Sequence, residues 1–174
     1  MPVTPLHLGP GLLLKGAAGR HFSLLVFAFS QAVMDIEPVV RILRDDPIVH
    51  GFTHTYLGAT LLGFVALFAG RPLCQYLLRR FQPDPRSPFL VWLHGGNDIS
   101  WSAAAVSAFL GTYSHVFLDS FMHDDMRPFA PWSDANGLLL KISIDALHLV
   151  CVGTGLAGVL LLAVSALRGR ARTR

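Results

Sequence analysis

The chain has 174 residues, 52% of them hydrophobic and only 14% charged, with a mean hydropathy of +0.50 and a net charge of +3. An ordinary soluble domain carries roughly 25% charged residues, so this chain has too little charge to cover itself in water. Its length suits one domain, 1–174. Basic residues flank apolar runs instead of interleaving with aromatics along a groove, which excludes nucleic acid as a partner. Cys74 and Cys151 stand outside any C-x-x-C pair and away from the histidines, which excludes a disulfide framework or a thiolate metal site.

The opening MPVTPLHLGPGLLLKG has no basic residue ahead of its apolar stretch and is not expected to be a cleaved signal peptide. A short helix is expected over 8–18. Apolar runs follow at 22–34, 55–69, 99–121 and 142–167, and only the last two reach the roughly 20 residues a full crossing needs. The run at 55–69 extends to Leu78 only by taking Arg71 and Pro72 inside it, and 22–34 is expected to tilt or pack against protein. Pro38, then Pro83, Pro85 and Pro88, then Pro128 and Pro131 mark the connections. No strand alternation occurs, and the small residues of 102–108 and 153–158 suit close helix contact in lipid. The expected fold is all-α, a polytopic transmembrane bundle of about four spanning helices plus the short N-terminal helix.

If the spans alternate in direction, the ionisable residues sort to one end. Asp35 and Glu37 close the first, His50 and His54 open the second, His115, Asp119 and His123 close the third, and Asp145 and His148 open the fourth. A charge at membrane depth costs at least about 2.5 to 3.5 kcal/mol on insertion scales, so groups that persist there face a partner or a cavity. Basic residues sort the other way. Lys15, Arg20, Arg71, Arg79, Arg80, Arg86 and the tail Arg168, Arg170, Arg172 and Arg174 oppose Arg41, Arg44, Arg127 and Lys141. The positive-inside rule then places the polar end away from the cytoplasm.

In SHVFLDSFMHDD, His115, Asp119 and His123 fall at i, i+4 and i+8, successive members rotating by about 40° on a helix, so they form one stripe. His50 and His54 in HGFTH repeat the four-residue spacing. Two helices each offering ligands at this spacing can close a shell around one or two divalent ions. Imidazole and carboxylate donors suit zinc first, with manganese, iron or nickel as substitutes. Two ions would clamp the attacking and leaving oxygens of phosphoester hydrolysis, with Asp125 or Asp35 as the catalytic base. His21 and His148 are read as packing residues, Asp45 and Asp46 as solvated loop charges, and His94, Asn97 and Asp98 as a turn and helix cap at the opposite end.

The order of these elements resembles the bacterial inner-membrane family of membrane-bound metal-dependent hydrolases related to the LexA-regulated YdjM-like proteins. The matching elements are MPVTPLH, MDIEP, HGFTH and SHVFLDS followed by MHDDMRPFAPW, spread over 1–135. The resemblance implies a metal site at His7, Asp35, His50, His54, His115 and Asp119, similar to zinc-dependent phospholipase C-like enzymes. Two positions depart from the pattern: Glu37-Pro38 where an Asp-His pair is often found, and Gly51 where an arginine often follows the first histidine. For His7 to reach the site, 8–18 must run inward and turn at Arg20 and His21. The expectation is a multi-pass inner-membrane hydrolase of a phosphoester or lipid-type substrate at the extracytoplasmic face. The alternatives are an ion or proton transporter, which the apolar stretches 58–67 and 153–164 argue against, and a non-enzymatic metal-binding membrane protein.

Overall fold

The computed structural model describes residues 5–172 apart from Asn97; Asn97 of the expected turn and Arg174 of the basic tail lie outside the described residues. Among the described residues every regular element is helical: α1 (Leu8–Ala18), α2 (Leu24–Met34), α3 (Ile36–Leu43), α4 (Tyr56–Val65), α5 (Arg71–Arg80), α6 (Pro88–His94), α7 (Trp101–Met122) and α8 (Ile144–Arg172).

Among the described residues two stretches are long and apolar enough to cross a membrane, Tyr56–Arg80 and Ile144–Arg168, where the sequence suggested four. The 22 residues of α7 have the length, but its inward face carries Ser107, Thr112, His115, Asp119 and Ser120. The 11 residues of α2 make about 16 Å of helix, roughly half of a bilayer's ~30 Å hydrocarbon core. Tyr56–Arg80 is one rod because a π-helical turn, Ala66–Gly70, carries α4 into α5. Pro72 lacks an N–H, and its ring would meet the carbonyl four residues back in a regular helix; the wider turn relieves both problems. Arg71 donates through Nε to the Ile99 carbonyl at 2.9 Å and stacks 4.0 Å above the Trp101 ring, which makes it tolerable inside the rod. Pro38 does not end a helix as expected. It sits in the first turn of α3, where a missing N–H is harmless, and the break falls at Asp35.

The glycines of α1 and α8 let the two backbones touch. A Cβ on Gly9 would meet the Cys151 carbonyl, and one on Gly158 the backbone of Leu12. Gly9 faces Cys151 while Gly16 faces Gly158 and Leu161, so α1 and α8 run parallel. The 3-10 turn Gly19–His21 then reverses the chain into α2, which is the hairpin that His7 requires. On the outside, Phe64, Phe68, Leu110, Phe117, Leu156 and Leu160 stay exposed and form an apolar belt suited to lipid. At the opposite end Gly95 closes α6 in the left-handed conformation. The cap of α7 is Ser100, which accepts from the Ala103 N–H at 3.1 Å; Asp98 instead pairs with Arg79.

Candidate metal centre

Alternation of α2, α4, α7 and α8 brings one terminus of each to the same end, and the polar residues meet there. His7 ends the 3-10 turn Pro5–His7 ahead of α1, Asp35 sits at the α2–α3 junction, and His115 and Asp119 lie on the last turns of α7. His50 and His54 are not on a helix as their spacing suggested. His50 precedes Gly51 and His54 ends the 3-10 turn Phe52–His54, because Glu37 pins this loop: its Oε1 accepts from the Phe52 N–H at 3.2 Å and its Oε2 from the Thr53 N–H at 2.7 Å. His123 also leaves the expected stripe, since α7 stops at Met122 and His123 is its extended C-cap. It still reaches the cluster by stacking on His50 with ring centroids 4.1 Å apart.

Asp119 is the hub. Its Oδ1 lies 3.5 Å from His7 Nε2, and its Oδ2 lies 3.4 Å from His54 Nε2 and 3.1 Å from His115 Nε2. His115 Nε2 is also 3.4 Å from Asp35 Oδ1. Among the described residues four sets of three each bring one ligand atom apiece within 4.8 Å of one another: His7, His115 and Asp119; Asp35, His54 and His115; His50, His54 and Asp119; and His50, His123 and Asp125.

A second ring of contacts sets the imidazole tautomers. Gln31 donates to the Gly111 carbonyl at 2.9 Å, which turns its Oε1 toward His115 Nδ1 at 2.6 Å to accept that N–H. The Thr53 hydroxyl donates to Glu37 Oε2 at 2.6 Å and so accepts from His54 Nδ1 at 3.0 Å. Asp125 Oδ2 accepts the Val49 and His50 N–H groups at 2.7 and 2.9 Å, and its Oδ1 accepts from His50 Nδ1 at 2.7 Å. Each of these three imidazoles therefore spends Nδ1–H on a neighbour and keeps a lone pair on Nε2, the arrangement that orients metal-binding histidines.

Those lone pairs have nothing to accept. Both ring nitrogens of His7, Asp35 Oδ1, His54 Nε2 and His115 Nε2 are buried without a hydrogen-bond partner. Leaving one such atom unsatisfied costs roughly 1–3 kcal/mol, and here lone pairs point at carboxylate oxygens. A divalent cation resolves the conflict, and the all-nitrogen-and-oxygen donor set fits zinc-like ions. Burial would lower the His115 imidazole, but in the metal-free protein the hydrogen bonds and charge of Asp119 and Asp35 push it up to about 9, so an ion there must displace that proton; the other titrations favour ligation directly. Burial pushes the His7 imidazole down to about 4. Burial also lowers His50, outweighing Asp125, and lowers His123, helped by His50 beside it. Burial alone would raise Asp125, but the hydrogen bonds from His50 and Val49 hold it below the usual carboxylate range. Neutral imidazoles and ionised carboxylates are the forms that ligate.

The YdjM inner membrane protein family matches the chain over residues 8–173. The chain belongs to this family. Searches of curated proteins and of solved structures returned no match. In this family member the match includes every clustered residue except His7, which stands one position before it. Association with the bilayer follows from the family and from the apolar helices.

Not every polar residue at this end joins the cluster. Among the described residues Asp145 is exposed, His148 is half-buried, and neither belongs to a ligand group. His21, expected to pack, is exposed. Sequence reasoning missed Gln31 and Thr53. A signal existed for Gln31, the one amide in the 22–34 run, four residues before Asp35 and hence on its face. Nothing in the sequence marks Thr53.

Proposed function

We propose that this YdjM-family protein is a metal-dependent hydrolase of phosphoesters at the membrane interface. The observation that carries the reading is Asp119, whose two oxygens are shared among His7, His54 and His115, beside buried lone pairs without partners. His7, His115 and Asp119 would hold one ion and His50, His54 and Asp119 a second, Asp119 belonging to both sets. His123 borders the second. Divalent ions there supply Lewis-acid charge to the phosphoryl oxygens.

Asp35 lies beside both ligand sets through His54 and His115, is only 13% exposed, and has Oδ1 unspent. It takes the proton of the attacking water as the new oxygen–phosphorus bond forms. The ester bond breaks, and the leaving oxygen is protonated from Asp35 or solvent. Asp125, with three hydrogen bonds already made, positions His50 rather than moving a proton. A cavity of about 330 Å³ lined by Pro47, Val49, His50, His123 and Asp125 leads to this end. Exposed Ile36, Val39, Val40 and Leu43 make α3 an interfacial helix beside it. Both suit a substrate with an apolar tail, a lipid-type phosphoester. The charge asymmetry supports an extracytoplasmic site in the inner membrane; a reporter fused after Arg174 and active only outside the cytoplasm would overturn that orientation.

A conduit is the weaker reading. Ser30, Thr112 and Ser120 spend their buried hydroxyls locally, on the Phe27, Phe109 and Val116 carbonyls, and Ser107 accepts the Ser23 N–H, so these groups are not joined in a relay. The test is metal content of the purified full-length protein together with hydrolysis of bis(p-nitrophenyl) phosphate and a long-chain alkyl phosphodiester. Wild type should carry zinc-like metal and turn over an ester. Asp35→Asn should keep the metal and lose turnover. Metal without turnover of any ester in the wild type would leave a structural metal site instead.

A further inference from the structure

The end of the bundle away from the metal centre holds a cavity of about 530 Å³, within the roughly 300–1,000 Å³ of ligand sites. It lies between the end of α1, the start of α2, the end of α5, α6 and the start of α7, and is lined mostly by apolar side chains such as Phe22, Leu77, Leu90 and Leu93. Lys15 also lines it, yet Lys15 is only 3% exposed. Its ammonium donates to the Gly19 and Phe22 carbonyls, both at 3.1 Å, and an ammonium has a third N–H to give. Among the described residues no carboxylate lies within ion-pairing distance of it. Asp98, the acidic residue of the lining, is engaged by Arg79. Gly95 lies directly against the ammonium, where a Cβ would sit 2.5 Å from Lys15 Nζ, and its φ of +73° disfavours a side chain there. Arg20 adds a second positive charge to the lining.

A buried cation with an unspent donor and no counter-charge, set in an apolar cavity, calls for an anion attached to a hydrocarbon. We propose that this cavity binds one anionic phospholipid, with an acyl chain among the leucines and its phosphate on Lys15 and Arg20. The cavity sits at the end of the bundle where basic residues gather, the end that faces anionic headgroups whichever leaflet supplies them. This inference is independent of the metal centre, which shares no lining residue with the cavity.

The experiment is native mass spectrometry of the full-length protein in neutral detergent, titrated with dioleoyl phosphatidylglycerol or dioleoyl phosphatidylcholine. One phosphatidylglycerol should bind saturably, about tenfold more tightly than phosphatidylcholine. Lys15→Met should remove the preference for the anionic lipid. Leu25→Trp should remove binding by filling the cavity from its rim, where Leu25 is 38% exposed and a larger ring disturbs little packing. Circular dichroism melting reports whether each variant folds, and if Lys15→Met does not, Leu25→Trp decides. Equal affinity for the two lipids, binding that survives Leu25→Trp in a folded protein, or uptake of oleate in place of phosphatidylglycerol would each overturn the proposal.

Discussion

The two ends of this helical bundle bury charge in opposite ways. At one, eight His and Asp side chains gather among the described residues, three of them, His7, His54 and His115, directly on Asp119, and several are fixed by a partner behind them: His115 by Gln31, His54 by Thr53 and Glu37, His50 by Asp125. At the other, a single ammonium, Lys15, is held by two carbonyls over a large apolar cavity. Crowded donors with oriented lone pairs define a small cation. A lone cation beside empty apolar volume defines a larger ligand that brings its own negative charge. The same rule, that buried charge needs a partner, thus yields two different ligands because the surroundings differ in polarity and volume.

The contrast breaks most visibly at the hub. Asp119→Ala should abolish metal binding at both proposed ion positions, since their ligand sets have only that residue in common. Elemental analysis of the purified variant would show less than about a tenth of the wild-type metal. Retention of half the metal would mean two independent sites, and full retention would remove Asp119 from the centre. Phosphatidylglycerol binding at the far cavity should be unchanged in the same sample.

Acid should separate the two ends next. His7 titrates at about 4 in the fold against 6.5 when unfolded, so between these values the unfolded chain binds more protons. Stability of the metal-free protein therefore falls as pH is lowered from about 6.5 toward 4, by about 3 kcal/mol at most from His7, and His50 and His123 act with the same sign. Glu37 and Asp125, held low in the fold by their hydrogen bonds, weaken stability only at more acidic pH. Thermal unfolding in detergent from pH 7 to 4 reads the effect, and His7→Phe should flatten the curve. A wild-type curve already flat across that range would mean that His7 is not held neutral.

Substituting the residues behind the ligands should have a smaller effect. Gln31→Met and Thr53→Val each free a histidine to turn, and loss of such a partner lowers metal affinity roughly 10- to 100-fold. Competition with a chelator measures it; an unchanged affinity would show that packing alone fixes the rings. These same residues mark how far the sequence could be read. The helices, the crowded end and the ligands themselves follow from apolar runs and from the expense of charge in lipid, and the α1–α2 hairpin follows from requiring His7 to reach the others. Spacing misled for His50 and His54, because a four-residue interval suits a helix and also suits a loop stapled by Glu37, and only contacts between 37 and 52–53 distinguish them. A crossing by α7 does not stand out, since it spends on buried Ser, Thr, His and Asp the hydropathy that a lipid-facing helix would show. Lys15 looked like one more basic residue flanking an apolar run until the fold put it inside.

The smallest effect is expected where the end-to-end contrast is most easily overstated. Asp145 and His148 occupy the crowded end by sequence, and a rule that every polar group there serves the metal would include them. Asp145 is exposed at the start of α8, where a carboxylate favours the helix dipole. His148 is one turn further on and half-buried. Neither has a place in a ligand group among the described residues. Asp145→Asn and His148→Gln should therefore leave metal content and chelator competition within experimental scatter of wild type, with at most a few tenths of a kcal/mol lost from the dipole interaction. Loss of metal in either variant would enlarge the centre toward α8, and the partition into the sets around Asp119 would then have been drawn too tightly.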